Sequence, residues 1–360
     1  MDEELNRLSS EANLALGRVD GVATILPNPD LFVSMYVRQE AVLSSQIEGT
    51  QSTLEDVLQF EINASGREFP KDIGEVVNYV YAMNYGLERL ETLPLSLRLI
   101  REIHGKLLQA GVRGSNRTPG EFRTSQNWIG GRTIAEAAFV PPPVHEMHAA
   151  LDNLEKFLHD DSLPLLIQCG LAHAQFETIH PFLDGNGRVG RLLITFLLCQ
   201  RHALQRPLLY LSLYLTQHRA EYYDRLMAVR NDGDWEGWLK FFARGVLAAS
   251  QEAADTARQI LRLKEEHLHL LGTKLTLDKF KATPYDFAFL EYLFEKPIVT
   301  VRLVEERLHC AFVTANRVVE RFVQLGLLEE MTGFHRNRRF RYASYLALFE
   351  PGLLNPPNDL

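Results

Sequence analysis

Residues 180–191 read His-Pro-Phe-Leu-Asp-Gly-Asn-Gly-Arg-Val-Gly-Arg, one imidazole, one carboxylate, a Gly-Asn-Gly turn and two guanidinium groups within a dozen positions. That set of groups suits chemistry on a polyphosphate. Gly185 and Gly187 permit a tight turn whose N–H groups converge, the kind of nest that holds an anion. Val189, Leu192, Leu193, Phe196 and Leu197 then follow at helical spacing, so a helix begins at Asn186 or Gly187. Its free N–H groups and positive dipole end would face the same anion. Arg188 and Arg191 are three apart, share a helix face, and can each offer paired donors to phosphate oxygens. Asp184 is a hard oxygen ligand suited to Mg2+ held jointly with substrate phosphates. His180 is the side chain of the run whose ordinary pKa suits a general base near neutrality. Singly, a glycine turn before an apolar helix is often only a cap, and a lone histidine is often structural. Packing alone does not call for two arginines, an aspartate and a histidine together.

Those residues need elements to position them. A helix from Leu163 to Glu177 would deliver His180 at its end; His173 lies seven residues earlier, not at chelating spacing, and reads as structural. Residues 1–26 form a mixed-charge helix, stopped by Pro27-Asn28-Pro29-Asp30, with Asp30 offered as the next N-cap. Leu31, Phe32, Met35, Tyr36, Val42, Leu43 and Ile47 describe a helix buried along one side and ending near Gly49. Ser44 and Glu48 share a face of it, and spacing alone gives a helix end with a solvated glutamate. Ser52-Thr53-Leu54-Glu55 has capping-box spacing for a further helix.

Residues 72–115 read as helical scaffold, with Ile73, Val76, Val77, Val80 and Tyr81 on one face and Leu95–Leu108 as a second helix. Across residues 116–145, aromatic and β-branched residues flank Gly130-Gly131, a short hairpin that the prolines 141–143 end in extended chain. A helix over 144–160 follows. Beyond the central run, Tyr222 and Tyr223 lie in a helical stretch as core or surface residues, and Trp235, Trp238, Phe241 and Phe242 close this body near residue 247.

Composition bounds the class. The 360 residues are enough for two or three domains, and no apolar run is long enough to span a bilayer. Acidic and polar residues throughout the first twenty positions give no secretory signal, so the cytoplasm is the expected location. Cys169, Cys199 and Cys310 lie far apart in apolar surroundings and read as buried thiols. The net charge of −8 argues against a general nucleic-acid coat. No Gly-x-x-x-x-Gly-Lys-Ser/Thr run and no kinase signature set occur.

Residues 248–272 predict a long connecting helix, with His267 and His269 on solvated faces. Residues 281–350 carry ten Lys/Arg and nine Asp/Glu, net +1, which leaves −9 for the rest. Helices around Tyr285–Glu295, Val301–Leu308 and Thr314–Gln324 precede strands at Leu327–Met331 and Arg339–Tyr342. Three helices and a basic hairpin resemble a winged helix, with Ala315-Asn316-Arg317 opening the recognition helix and Arg336, Arg338 and Arg339 in the wing. DNA contact and protein contact are both open for such a module. Residues 351–360 read as a tail.

The central run matches, position for position, the signature of the Fic family of protein adenylyltransferases, His-Pro-Phe-x-Asp/Glu-Gly-Asn-Gly-Arg-x-x-Arg. Ala172 to Ile179 extends the likeness upstream, which covers roughly residues 5–245. The resemblance implies a mostly α-helical protein with a Fic-type core, a β-hairpin flap and a C-terminal winged-helix domain. The expected divisions are 1–85, an N-terminal helical region; 86–247, the core; 248–280, a connector; 281–350, the winged-helix module; and 351–360.

It implies transfer of AMP from MgATP to a Tyr, Thr or Ser hydroxyl of a target protein or of the chain itself. His180 would be the base, Asp184 the Mg2+ ligand, and Gly185, Asn186, Gly187, Arg188, Gly190 and Arg191 the nucleotide-binding set. Tyr222 and Tyr223 become candidates for the adenine pocket; the family often has Asn where His218 stands here. Ser44-Ser45-Gln46-Ile47-Glu48-Gly49 resembles the inhibitory motif Ser/Thr-x-x-x-Glu-Gly/Asn, which reverses the reading of a solvated glutamate. Glu48, flanked by Ser44 and Gly49, would then occupy the fork of Arg191 that the γ-phosphate needs. The flap would hold a target segment by strand addition. A homodimer and a DNA partner are further options. The rival readings are a DNA-binding regulator whose Fic core only senses nucleotide, and an enzyme that mainly removes AMP.

Overall fold

The helical spacing of the apolar residues is realised almost throughout the computed structural model, which describes residues 2–25, 29–62, 68–109, 111–277, 282–334 and 336–350. The Pro27-Asn28 break, His335 of the wing and the 351–360 tail lie outside the described residues. The chain divides into two units: residues 1–23, 36–54 and 69–253 form one, and residues 24–35, 55–68 and 254–360 the other.

The first unit is built from α1 (Glu3–Ile25), α2 (Pro29–Ile47), α4 (Ile73–Leu90), α5 (Leu97–Leu107), α6 (Val144–Leu158), α7 (Leu165–Ile179), α8 (Asn186–Gln200), α9 (Ser212–Gln217), α10 (Arg219–Asp232) and the start of α11 (Trp235–Leu277); α3 (Leu54–Glu61) leads out of it. Helices α7 and α8 are apolar on nearly every face, so they can only be buried. They pack on each other at the centre, with α4 and α5 against α8 and with α6 and α10 against α7. On α4, Gly86 lies so close to the Phe196 ring that a methyl group there would overlap it, which permits the close approach of α4 to α8.

Several expectations change in detail. On α4, Tyr79 is buried while Tyr81 is 48% exposed, because the inward stripe runs through Val76, Tyr79 and Met83. The capping box at Ser52 does not form: α3 starts at Leu54, and the Ser52 hydroxyl donates to Asp72. The hairpin of residues 116–145 is reduced to one antiparallel bridge, Ile129 with Phe139, around a 3-10 turn at Ile134–Glu136. Gly130 and Gly131, both at positive φ, and the prolines leave no longer run to pair. Nor is the connector a separate helix: α11 runs 43 residues without a break from Trp235.

The second unit holds α12 (Pro284–Glu295), α13 (Val301–Leu308), α14 (Phe312–Gln324) and α15 (Ala343–Leu346), with β1 (Ile298–Thr300), β2 (Glu329–Glu330) and β3 (Arg339–Arg341). The strands form one antiparallel sheet in the order β1-β3-β2, with Val299 opposite Phe340. The three helices and two strands read from the sequence are present, with the Leu327–Met331 strand shortened to Glu329–Glu330, and β1 is added, whose three residues are too few to show a period.

Two of the wing arginines, Arg338 and Arg339, have partners within this unit. Arg338 faces Glu320 at 3.5 Å and Glu330 at 3.7 Å, and Arg339 donates to Gln59 at 3.0 Å. His267, expected on a solvated face, hydrogen-bonds the Tyr342 hydroxyl at 2.6 Å. Of the three thiols, Cys169 is buried and Cys199 and Cys310 are partly so. Among the described residues, no helix is long and apolar enough to cross a membrane.

Candidate active site

Helix α7 ends by turning His180 into the left-handed region, φ 49°, a conformation that costs a non-glycine residue energy and needs support. Arg123 and Asn127 supply it, donating to the His180 carbonyl at 3.1 and 3.2 Å. Arg123 is 1% exposed and also donates to the carbonyls of Ser125 and Pro142. His180 Nδ1 has no hydrogen-bond partner among the described residues. Burial, with the positive charge of Arg230 beside it, pushes the imidazole down to about 4, so His180 is neutral at pH 7 and free to accept a proton.

The loop from His180 to α8 is pinned from below. Phe182 is fully buried and stacks on His104 at 3.7 Å between ring centres. His104 Nδ1 accepts from the Gly120 N–H at 2.8 Å, which puts the ring proton on Nε2, and Nε2 donates to the Asp184 carbonyl at 3.0 Å. Burial lowers His104 to about 4, in keeping with this neutral tautomer. Gly185 takes φ 78° as N-cap of α8.

Asn186 corrects an expectation. Its amide is turned inward, Oδ1 accepting from the Phe182 N–H at 2.9 Å and Nδ2 donating to the Phe182 carbonyl at 2.8 Å. At 2% exposure it braces the loop, and its side chain is taken up by the Phe182 backbone. Gly190 is likewise a packing residue: a methyl group there would overlap Glu177 Oε1 and press on Phe176 and His173.

At the first turn of α8 the charged groups converge. Asp184 Oδ1 accepts from the Gly185 N–H at 2.6 Å and lies 3.7 Å from Arg188 Nη2, with 30% of the side chain exposed. Arg188, 1% exposed, gives Nη1 to Glu75 at 3.0 Å. Arg191, 2% exposed, gives Nε to the Ser44 hydroxyl at 2.7 Å and Nη2 to both the Ser44 carbonyl and Glu48 Oε1 at 2.8 Å. The Glu48 carboxylate rests against Gly187, where a side chain would overlap it. It thus lies over the helix end expected to hold an anion. Burial alone would raise Glu48, but the charge and hydrogen bond of Arg191, with Arg188 and His180, hold it below the usual carboxylate range.

Gly49, just past α2, has φ 95°, and Arg113 donates to the Glu48 carbonyl at 3.4 Å. No group of three or more His, Cys, Asp or Glu side chains that could hold a metal exists among the described residues. A magnesium ion that takes one carboxylate and shares the substrate's phosphates needs no such cage, and Asp184 fits that role.

The tyrosine pair separates. Tyr222 is 1% exposed and gives its hydroxyl to His173 Nε2 at 2.8 Å, while His173 Nδ1 donates to the Gly190 carbonyl at 2.9 Å. A ring buried this way cannot stack on a base, so the expected adenine contact of Tyr222 is not available. Tyr223 is 40% exposed, with the Arg219 guanidinium 5.6 Å from its ring centre. His218 stacks on Tyr214 and bonds its carbonyl at 3.0 Å.

Glu75, His104 and Arg113 fall in the 72–115 stretch that reads as scaffold, and Arg123 falls in the 116–145 hairpin segment. Glu75 left a signal: it shares the i, i+4, i+8 stripe of α4 with buried Tyr79 and Met83, where a carboxylate needs a partner. The other three gave no pattern: His104 and Arg123 bond mainly backbone groups far along the chain, and Arg113 pairs with Glu75 and the Glu48 carbonyl, 38 and 65 residues away.

The helical body thus buries two arginines, each paired with a carboxylate, at a helix N-terminus beside a neutral histidine. The chain is similar to known proteins. The Fic/DOC family N-terminal region matches residues 6–88, and the Fic/DOC family matches residues 94–198. The chain is 30% identical over 254 residues to the protein adenylyltransferase Fic of Drosophila virilis, across 68% of this chain and 46% of that protein. For the Aedes aegypti protein of the same name it is 29% over 255 residues, 68% and 44%. The chain therefore spans less than half the length of these relatives. In structure it is similar to a Fic family protein from Desulfovibrio desulfuricans G20, with TM-score 0.62 and 20% identity over 95% of this chain and 96% of that one. A Fic domain containing signaling protein from Bacteroides thetaiotaomicron VPI-5482 gives 0.54 and 17%, over 71% and 97%. The chain belongs to the Fic/DOC family.

Proposed function

We propose that this chain is a protein adenylyltransferase that moves AMP from MgATP to a Tyr, Thr or Ser hydroxyl on a target protein or on itself, with Glu48 as its restraint. The convergence of neutral His180, Asp184, Arg188 and Arg191 on the N-terminus of α8 carries this reading. The relatives named as protein adenylyltransferases support it.

In the reaction, the target hydroxyl oxygen bonds to the α-phosphorus of ATP. The bond from that phosphorus to the oxygen bridging the β-phosphate breaks, and pyrophosphate leaves. His180 takes the hydroxyl proton; its lack of a competing partner at Nδ1 and its neutral ring suit it to that role. The N–H groups opening α8 and the two arginines stabilise charge on the departing phosphates, so most of the catalysis is orientation and electrostatics. Asp184 would hold the Mg2+ whose charge neutralises those phosphates. Glu48 occupies the donors of Arg191 that the nucleotide would use, and activity then depends on the fraction of chains in which it has withdrawn.

Mass spectrometry of the protein after incubation with MgATP, wild type beside Glu48→Gly, tests the assignment. A gain of one AMP, larger in the variant and lost on adding His180→Ala, is the expected result. No AMP on the protein or on any offered hydroxyl-bearing target would remove it.

A further inference from the structure

Both arginines of the phosphate site are buried and each is paired with a carboxylate, but the pairings occupy opposite ends of the guanidinium. In Arg191 the Nε and Nη2 edge, the edge that grips an oxyanion with two parallel bonds, is filled by Ser44 and Glu48. In Arg188 the carboxylate of Glu75 takes Nη1 at 3.0 Å, while Nε and Nη2 are buried with no hydrogen-bond partner among the described residues. Two N–H-bearing nitrogens of a buried cation without a protein partner are costly unless a ligand completes them. They sit beside Asp184, with Nη2 3.7 Å from its carboxylate, too far for a hydrogen bond.

Glu75 is well built for holding Arg188 from behind. It projects from the buried stripe of α4, its side chain is 7% exposed, and α4 packs directly on α8. The same oxygen, Oε2, also receives Arg113 Nη2 at 3.3 Å, so one carboxylate is shared by two guanidinium groups and does not neutralise Arg188 alone.

We propose that Glu75 is a positioning residue of the phosphate site, holding Arg188 by Nη1 so that its Nε and Nη2 edge is presented to the nucleotide phosphates. Glu75 and Glu48 are thus carboxylates of opposite effect: one covers the gripping edge of its arginine, the other aims it. This inference rests on the adenylyltransferase reading of the site.

The test uses the full chain carrying Glu48→Gly, so that Arg191 is free, and compares it with the same chain bearing Glu75→Gln or Glu75→Ala. Binding of MgATP and of adenosine is measured by calorimetry, and AMP transfer is measured alongside. Misaiming one arginine weakens MgATP binding or kcat/KM on the order of 10- to 100-fold for Glu75→Ala. Adenosine, which has no phosphate, binds as before, and Glu75→Gln, which keeps an oxygen for Nη1, loses less. Unchanged MgATP affinity in Glu75→Ala overturns the inference, as does an equal loss for adenosine and MgATP, which would mark general damage. A rise in transfer would make Glu75 a second restraint instead. If the parent Glu48→Gly chain binds no MgATP, the adenylyltransferase reading itself has failed, a result distinct from failure of the Glu75 assignment.

Discussion

Replacing Glu48 with glycine removes one ion pair from Arg191 and leaves both Ser44 contacts in place. Arg191 stays buried at 2% side-chain exposure, and its bond to Glu48 Oε1 is 2.8 Å. A charge-assisted hydrogen bond contributes about 1.5–3 kcal/mol net, which converts at about 1.4 kcal/mol per tenfold to roughly 10- to 150-fold in the closed-to-open ratio. The Glu48 side chain keeps 29% exposure, which favours the lower part of that range. The variant should therefore incorporate AMP about ten to thirty times faster and bind MgATP correspondingly tighter. Glu48→Gln, which retains an acceptor without charge, should fall between.

Acid should not imitate the variant near neutrality. The Glu48 carboxyl is held below the usual range, so the contact is present above the ordinary carboxylate pKa and lost only as pH falls through the depressed value. Intact mass after timed incubation gives the rate, and calorimetry gives the affinity. Unchanged or reduced incorporation with unchanged MgATP affinity would refute the idea that Glu48 competes with the nucleotide for Arg191.

His180→Ala should reduce AMP transfer by about 10²–10⁴-fold while leaving MgATP affinity nearly unchanged, measured by labelling and calorimetry, because the phosphate cradle is built from other residues. Glu177 is buried, with Oε1 lacking a partner among the described residues, and burial raises it to about 7. Its neutral form is favoured in the folded state, so stability is retained below the ordinary carboxylate pKa and lost as pH rises toward 7 and beyond. Glu177→Gln should raise the folding stability at pH 8 by on the order of 2–3 kcal/mol, seen as a higher Tm, and change little at pH 4, as thermal melts across pH would show. Gly190→Ala should lower stability by about 1–3 kcal/mol through overlap with Glu177 Oε1, and an unchanged melt would mean that α7 and α8 can separate locally.

What the sequence determined by itself is local. The His180–Arg191 run, the helix start at Asn186, the turn at Gly185 and the shared face of Ser44 and Glu48 all follow from spacings of a few residues, where one helical turn sets geometry. Val301–Leu308 is a short run bounded as the sequence predicts, and the structure adds Thr300 as its N-cap. Tertiary structure alone decided which of the polar groups are taken up inside the fold. Asn186 and Gly190 stand inside the signature, yet one bonds Phe182 and the other admits Glu177. Tyr222 and Tyr223 are neighbours in sequence, but successive helical residues point about 100° apart, so one is core and the other surface. Glu75, His104 and Arg123 reach the site across separations of 113, 80 and 57 residues. No local period encodes pairings of that length; they exist because α4, α5 and the 116–145 segment close around α8, where a buried charge or ring nitrogen must find its partner or destabilise the fold.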